Sequence, residues 1–259
     1  MKKSLLIMLL CLLGVTRSTA QSSIQFGVRF DPEFSGYQNS NDANDGAELQ
    51  YASHFSELSF GAGAIYNFNT HIGFGIDILF SREGQAYSGT FNGIPPRADA
   101  YSAVVDRQIT LNGITIVGNY VALAELNYIK VPLMLSLATD NTQQFYFTAL
   151  VGPQIDFLHG IAQEVNKEDL DYPNTSVTPY DLYSTITLSA MLALGASCNL
   201  SSQWVISARL RFDYGFSDAE NKDVMISYAG TKPVRFYSPD RTAVHSESAG
   251  LMLGLDYKL

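Results

Sequence analysis

Five cations and five carboxylates stand at alternate positions along apolar stretches of this sequence: Arg29, Lys130, Arg209, Arg211 and Lys258 against Asp31, Asp77, Asp156, Asp213 and Asp256. In an extended chain, residues two apart share a face. Each of these charges therefore lies opposite an apolar face, and the two signs balance. A balanced set of that kind suits a paired, hydrogen-bonded network in a confined space, because buried charge is tolerated only when paired. The functional alternative is the lining of a pore, which calls for a bias of sign. Four histidines complete the reactive inventory. His54, His159 and His245 fall in polar segments, and His71 falls in a tight turn. His245, Ser246 and Glu247 hold the residue types of a surface hydrolase, but neighbours in a strand point to opposite faces and cannot converge as a serine, histidine and acid must. No histidine pair has metal-ligand spacing, and phosphate-loop and cofactor motifs are absent from the sequence, so the expectation is a non-enzymatic protein without a cofactor or metal.

The elements that carry these residues are strands. Residues 126–137, LNYIKVPLMLSL, put Ile129, Val131, Leu133, Leu135 and Leu137 on one face and Tyr128, Lys130, Pro132, Met134 and Ser136 on the other. A helix would set Lys130 and Pro132 among the leucines and lose a hydrogen bond at the proline. The same pattern recurs at 24–31, about 55–69, 72–81, 145–157, 182–200, 204–216 and 250–259. Residues 182–200 carry no charge and satisfy a hydropathy criterion for a membrane helix. Their alternation of Ile186, Leu188, Ala190, Leu192 and Leu194 with Thr187, Ser189 and Gly195 favours a strand instead. Short turns at 69–71, 138–143 and 201–203 alternate with long polar connections at 37–53, 82–119, 159–181 and 217–245. Within the second of these, Ile109 and Leu111, Asn112-Gly113, then Ile114 and Ile116 predict a hairpin that extends the fourth strand.

Eight strands with alternating short and long connections predict an all-β fold, an eight-stranded antiparallel up-and-down transmembrane β-barrel. A soluble sandwich or lipocalin-like barrel shows the same alternation. Two features favour the membrane. Aromatic residues gather near strand ends on the apolar face (Tyr66, Phe68, Phe145, Phe147, Trp204, Tyr214, Phe216, Tyr257), as interface girdles do. The glycines (among them Gly27, Gly63, Gly195 and Gly254) lie on the polar face, where a narrow lumen needs room for long charged side chains. An eight-stranded lumen is nearly filled by side chains, so the ten charges read as a plug.

Residues 1–20 read as a signal peptide: Lys2 and Lys3, an apolar core, then a small-residue site ending at Ala20. Leu10 before Cys11 argues against a lipoprotein signal. Residues 21–259 form one barrel domain in the outer membrane. Removing Lys2, Lys3 and Arg17 from 16 basic residues leaves 13 against 25 acidic ones, a net charge of −12. That excludes nucleic acid as a partner. Only Cys198 survives cleavage, so no internal disulfide forms. The expected partners are outer-membrane lipid and the barrel-assembly machinery, with an extracellular or envelope protein at the loops and no oligomeric state specified. Asp42, Asp45, Glu48, Glu164, Glu168, Asp169 and Asp171 make those loops acidic.

The segments LNYIKVPLMLSL, FTALVGPQIDF and RLRFDYGFSD resemble landmarks of the PorT-type outer-membrane β-barrel family, whose fold is similar to the small OmpA and OmpX barrels. The closing GLDYKL resembles a barrel-assembly signal through Gly254 and Tyr257, with Leu259 in place of the usual terminal aromatic. The resemblance implies fold and location. It makes an accessory role in protein secretion conceivable, although no residue of the sequence points to one; the residues themselves suggest a structural or surface-interaction role in the envelope, with a small porin-like channel as the alternative.

Overall fold

The structure, a computed structural model, describes residues 22–39, 50–55, 58–92, 117–165, 168–169, 179–226, 234–235 and 242–259. The segment expected as a signal peptide (1–20), the hairpin expected at 109–116, and Asp42, Asp45, Glu48 and Asp171 lie outside them. Thirteen strands are present among the described residues: β1 (Ser23–Asp31), β2 (Glu33–Gln38), β3 (Gln50–Phe55), β4 (Ser59–Asn67), β5 (Ile72–Asn92), β6 (Val117–Ala138), β7 (Phe145–Val165), β8 (Glu168–Asp169), β9 (Ile186–Asn199), β10 (Trp204–Gly215), β11 (Met225–Ile226), β12 (Val234–Arg235) and β13 (His245–Lys258). The wall runs β1, β4, β5, β6, β7, β9, β10, β13 and closes through β13 on β1, every pairing antiparallel. β2 continues β1 beyond Pro32, and β3 precedes β4 in the same stave. Closure leaves no sheet edge around the girth, as a wall in lipid requires.

The wall alternates as the sequence predicts. Along β10 every outward residue from Trp204 to Tyr214 is exposed and every inward one buried. Residues 182–200 hold the strand β9 and not a helix; among the described residues no helix is long and apolar enough to cross a membrane, which does not bear on crossing by strands. Two prolines interrupt the ladder. Pairing of β5 with β6 lapses between Ile76↔Leu133 and Leu79↔Lys130, beside Pro132. Pairing of β6 with β7 lapses between Pro132↔Gln154 and Leu135↔Val151, beside Pro153. Each proline lacks the N–H that a rung needs.

Several strands run farther than their sequence pattern suggests. β1 continues as β2 to Gln38, and β5, β6 and β7 reach 21, 22 and 21 residues, about twice the roughly 9 to 11 needed to cross the apolar layer. Segments expected as loops, 82–92, 117–119 and 159–165, are therefore wall. The reason is that a strand above the bilayer is wetted on its outer face, so its alternation of apolar with polar residues is lost while its hydrogen bonding is kept.

The long outer connections also fold inward. A short 3₁₀ turn, Pro179–Leu182, and the chain near Ala219 and Val244 are joined by Ser184 N to Ala219 O, Ala219 N to Val244 O and Asn221 N to Leu182 O, each at 2.9 Å. Leu182 is fully buried, and Ala219 and Val244 pack with Tyr37, Leu126, Tyr128 and Leu158. The outer mouth thus carries an apolar cap where solvated loops were expected.

At the inner end, the turn between β6 and β7 is held by Asp140, whose Oδ1 accepts from the Thr142 hydroxyl at 2.7 Å and the Thr142 N–H at 3.0 Å. The hydroxyl bond first, then the backbone bond, holds the carboxyl below the usual carboxylate range. A depressed value means that the turn's stabilisation is complete above the unfolded pKa, about 3.9, and is lost as pH falls through the lower folded value. Asp140→Asn should flatten the acid limb of the unfolding midpoint against pH below about pH 4. An identical limb in both proteins would show that the carboxylate contributes nothing there.

Candidate functional site: the lumen charge network

The inward positions of the staves build one polar interior, in which Arg29, Asp31, Asp77, Lys130, Asp156, Arg209, Arg211, Asp213 and Asp256 are all buried. Lys258 is half-exposed at the inner mouth. The outer group centres on Lys130, whose ammonium lies 2.7 Å from Glu83 Oε1, 3.2 Å from Asp213 Oδ2 and 3.6 Å from Glu33 Oε1. Arg211 donates through Nε and Nη2 to the two oxygens of Asp213, both at 2.9 Å, and through Nη2 to Gln154 Oε1 at 2.7 Å. Its Nη1 lies 3.4 Å from Asp31. Gln154 Nε2 donates to Asp156 Oδ1 at 2.8 Å, and the Ser189 hydroxyl donates to Asp156 Oδ2 at 2.7 Å.

The inner group is smaller. Arg29 donates to Asp77 at 3.3 Å and to Asp256 at 2.7 Å, while Arg209 bonds hydroxyls. Gly27 and Gly63 make this possible: a Cβ at either would overlap the carboxylate of Asp256 or Asp77 respectively. Between the two groups, Leu150 on β7, Met191 and Ala193 on β9 and Met252 on β13 form an apolar cluster with Met134 and Ile65.

Glu33 and Glu83 are absent from the sequence-derived set. Both are buried and inward, so the described lumen holds seven buried carboxylates, Asp31, Glu33, Asp77, Glu83, Asp156, Asp213 and Asp256, against four buried cations. The balance of five to five does not hold. The missed signal was available: Glu33 continues the parity of Arg29 and Asp31 across Pro32, and Glu83 that of Asp77 and Ser81. Serine hydroxyls add support, since Ser59 and Ser81 both donate to Glu33 Oε1.

The three residues with hydrolase chemistry do not assemble. His245 Nδ1 is 3.0 Å from Gly215 O and its ring stacks on Tyr214, with centroids 5.9 Å apart. Glu247 accepts from Gln38 Nε2 at 2.7 Å, while the Ser246 hydroxyl turns against inward Gly215. His71 lies in the inner turn, 3.3 Å from Ala138 O. Among the described residues no cluster of metal-ligating groups is found.

The outer surface is apolar and aromatic. Trp204 and Tyr257 meet edge to face at 5.2 Å near the inner end, beside the strongly exposed Phe145 and Phe147, and Phe34, Phe212 and Tyr214 stand near the outer end. An exposed face of this kind belongs in lipid.

The sequence matches the family described as outer membrane protein beta-barrel domain over residues 19–221. No curated protein matches it. Among solved structures, OprG from Pseudomonas aeruginosa is 12% identical over 93% of this chain and 96% of that one, with a TM-score of 0.43. Ail, the attachment invasion locus protein of Yersinia pestis, is 13% identical over 93% and 99%, at 0.40. The outer membrane protease OmpT from Escherichia coli is 6% identical over 94% and 100%, at 0.42. These are similarities of overall shape.

Proposed function

This chain belongs to the outer membrane protein beta-barrel domain family, and from that premise we propose that it is a non-enzymatic integral outer-membrane protein with a plugged lumen, acting in envelope structure or surface interaction. The observation that carries the reading is the Lys130 group: one ammonium shared by Glu33, Glu83 and Asp213 in mid-lumen, with the apolar cap above it. An eight-stranded barrel has little spare interior, and around Lys130 it is occupied by side chains bonded to one another. The contact surface then lies in the long β5–β6–β7 wall and the outer connections. Within the family, the resemblance of LNYIKVPLMLSL, FTALVGPQIDF and RLRFDYGFSD to PorT-type landmarks supports a PorT-type barrel as our reading, and the resemblance of GLDYKL to an assembly signal supports the barrel-assembly machinery as a partner.

The test is efflux of small sugars and ions from liposomes holding the mature protein. Tight liposomes are the expected result. Protein-dependent leakage, with ion preference altered by charge reversal at Asp77, would replace this reading with a small channel for hydrophilic solutes. Stable co-purification of an envelope protein would narrow the role to an accessory part of an assembly such as a secretion system.

A further inference from the structure

A cavity of about 960 Å³ indents the outer end of the wall where β2, β13 and β10 lie side by side, and the outward residues of all three strands line it. Asp213 borders it, yet the Lys130 and Arg211 side chains that hold Asp213 in the lumen do not. The cavity therefore belongs to the outer face. What fills it is independent of whether the lumen conducts.

Cross-strand register explains the hollow. Ala249 stands directly between Phe34 and Phe212, and Glu247 between Gly36 and Tyr214. Two small residues thus form a floor among large rings. Gly36 has little room for more, since a Cβ there would lie 3.0 Å from Gln85 Oε1, which accepts the Tyr37 N–H at 2.9 Å. That bond stands in for a ladder rung, because β2 pairs with β3 only at Phe34↔Phe55 and Ser35↔His54. Beyond Ser35 a side chain, and not a strand, covers this edge of β2.

The chemistry of the lining selects its occupant. Among the described residues neither lysine nor arginine lines the cavity, and Asp213 is already held by Arg211 and Lys130. The charge left is Glu247, whose Oε2 accepts from the neutral Gln38 amide at 2.7 Å. His245 Nδ1 lies 3.0 Å from Gly215 O. A carbonyl can only accept, so Nδ1 carries the hydrogen and Nε2 of the neutral ring is an acceptor. Acceptors at one end call for a positively charged donor, and a ring face such as that of Tyr214 attracts the same group. At the other end Phe34, Ala249 and Phe212 are exposed and apolar, as a face toward lipid is. The volume suits a small organic ligand.

We propose that this hollow binds a membrane-dissolved primary alkylamine, its ammonium on Glu247 and His245 beside Tyr214 and its chain over Ala249 between Phe34 and Phe212. Glu247 repels a carboxylate or phosphate head. The inference rests on the outward face meeting lipid, which arginine at Leu192 tests separately.

The experiment measures the urea-unfolding midpoint of the refolded mature protein in uncharged phospholipid vesicles, titrated with octylammonium and, in parallel, with octanol as the uncharged chain. Octylammonium should raise the midpoint and saturate, lowering the unfolding constant about tenfold when its concentration reaches ten times Kd, and octanol should do less. Glu247→Gln should erase the difference between the two probes, and Ala249→Phe should erase the saturating response to both. Equal responses to octanol and octylammonium in the parent, or a parent and Glu247→Gln that respond alike, would overturn the site. Should the variants fail to refold, a diazirine-bearing alkylamine is photolysed with the parent protein in the same vesicles. Crosslinks gathered on residues 34–38 and 245–249 support the site, and crosslinks spread evenly around the outward face refute it.

Discussion

Replacing Lys130 with methionine should cost the barrel about 3–5 kcal/mol, the range for removing one partner of a buried ion pair. The side chain keeps an unbranched apolar stem and is one atom shorter, so packing changes little. What is lost is the ammonium within 3.6 Å of Glu33, Glu83 and Asp213. Asp213 retains Arg211, and Glu33 retains the Ser59 and Ser81 hydroxyls. Glu83 is left with Tyr37, whose hydroxyl donates to Oε2 at 3.3 Å. Adding Glu83→Gln should recover part of the loss, with a coupling in the range of about 0.5–3 kcal/mol. Urea unfolding of the two single variants and the double variant in vesicles measures all three terms. A loss below about 1 kcal/mol with strict additivity would mean that the outer charged group is hydrated and not a plug.

Leucine to arginine at position 192 should cost about 2–4 kcal/mol, the range for a charge at the bilayer midplane of an outer-membrane barrel. Leu192 lies midway along β9, outward and 39% exposed, paired with Phe212 on β10 and Val151 on β7. Leu133, outward on β6, should respond alike. Leu200, just beyond the inner end of β9 and 61% exposed, provides the contrast. Arginine there can reach the interface, and its cost should fall to about 0–1 kcal/mol. The comparison is made by unfolding in phospholipid vesicles. Near-neutral effects at both Leu192 and Leu133 would reverse the assignment of faces. The gradient from Leu192 to Leu200 separates burial in lipid from simple loss of a leucine.

The two predictions rest on the strands being read correctly, and that reading was open to the sequence wherever one face meets lipid. A residue between bilayer and lumen experiences two unlike solvents, so Trp204 to Tyr214 alternates without exception and its parity can be read directly. Above the bilayer both faces meet polar surroundings and the alternation fades. For that reason the end of β2, most of β3, the upper half of β5, the upper third of β7 and the start of β6 read as loops although they are hydrogen-bonded wall. Glu33 and Glu83 were lost with them, and with them the true sign of the lumen.

What the sequence determined by itself was the class of fold, the eight-fold count of staves, the outward and inward sets and most of the buried charges, because period-two patterning under two-sided solvation is a local property. Only the tertiary structure decided which charge meets which. Lys130 is 47 residues from Glu83 and farther still from Asp213; the first meeting is set by the register of β5 on β6 and the second by closure of the wall, which brings β10 across the lumen from β6. The cap of Leu182, Ala219 and Val244 is likewise a product of closure, since those residues find an apolar surface only once the mouth exists. The hydroxyl surroundings of Arg209 have the same origin. Thr148, Ser197 and Ser207 belong to three different strands, and the lumen is where their faces converge.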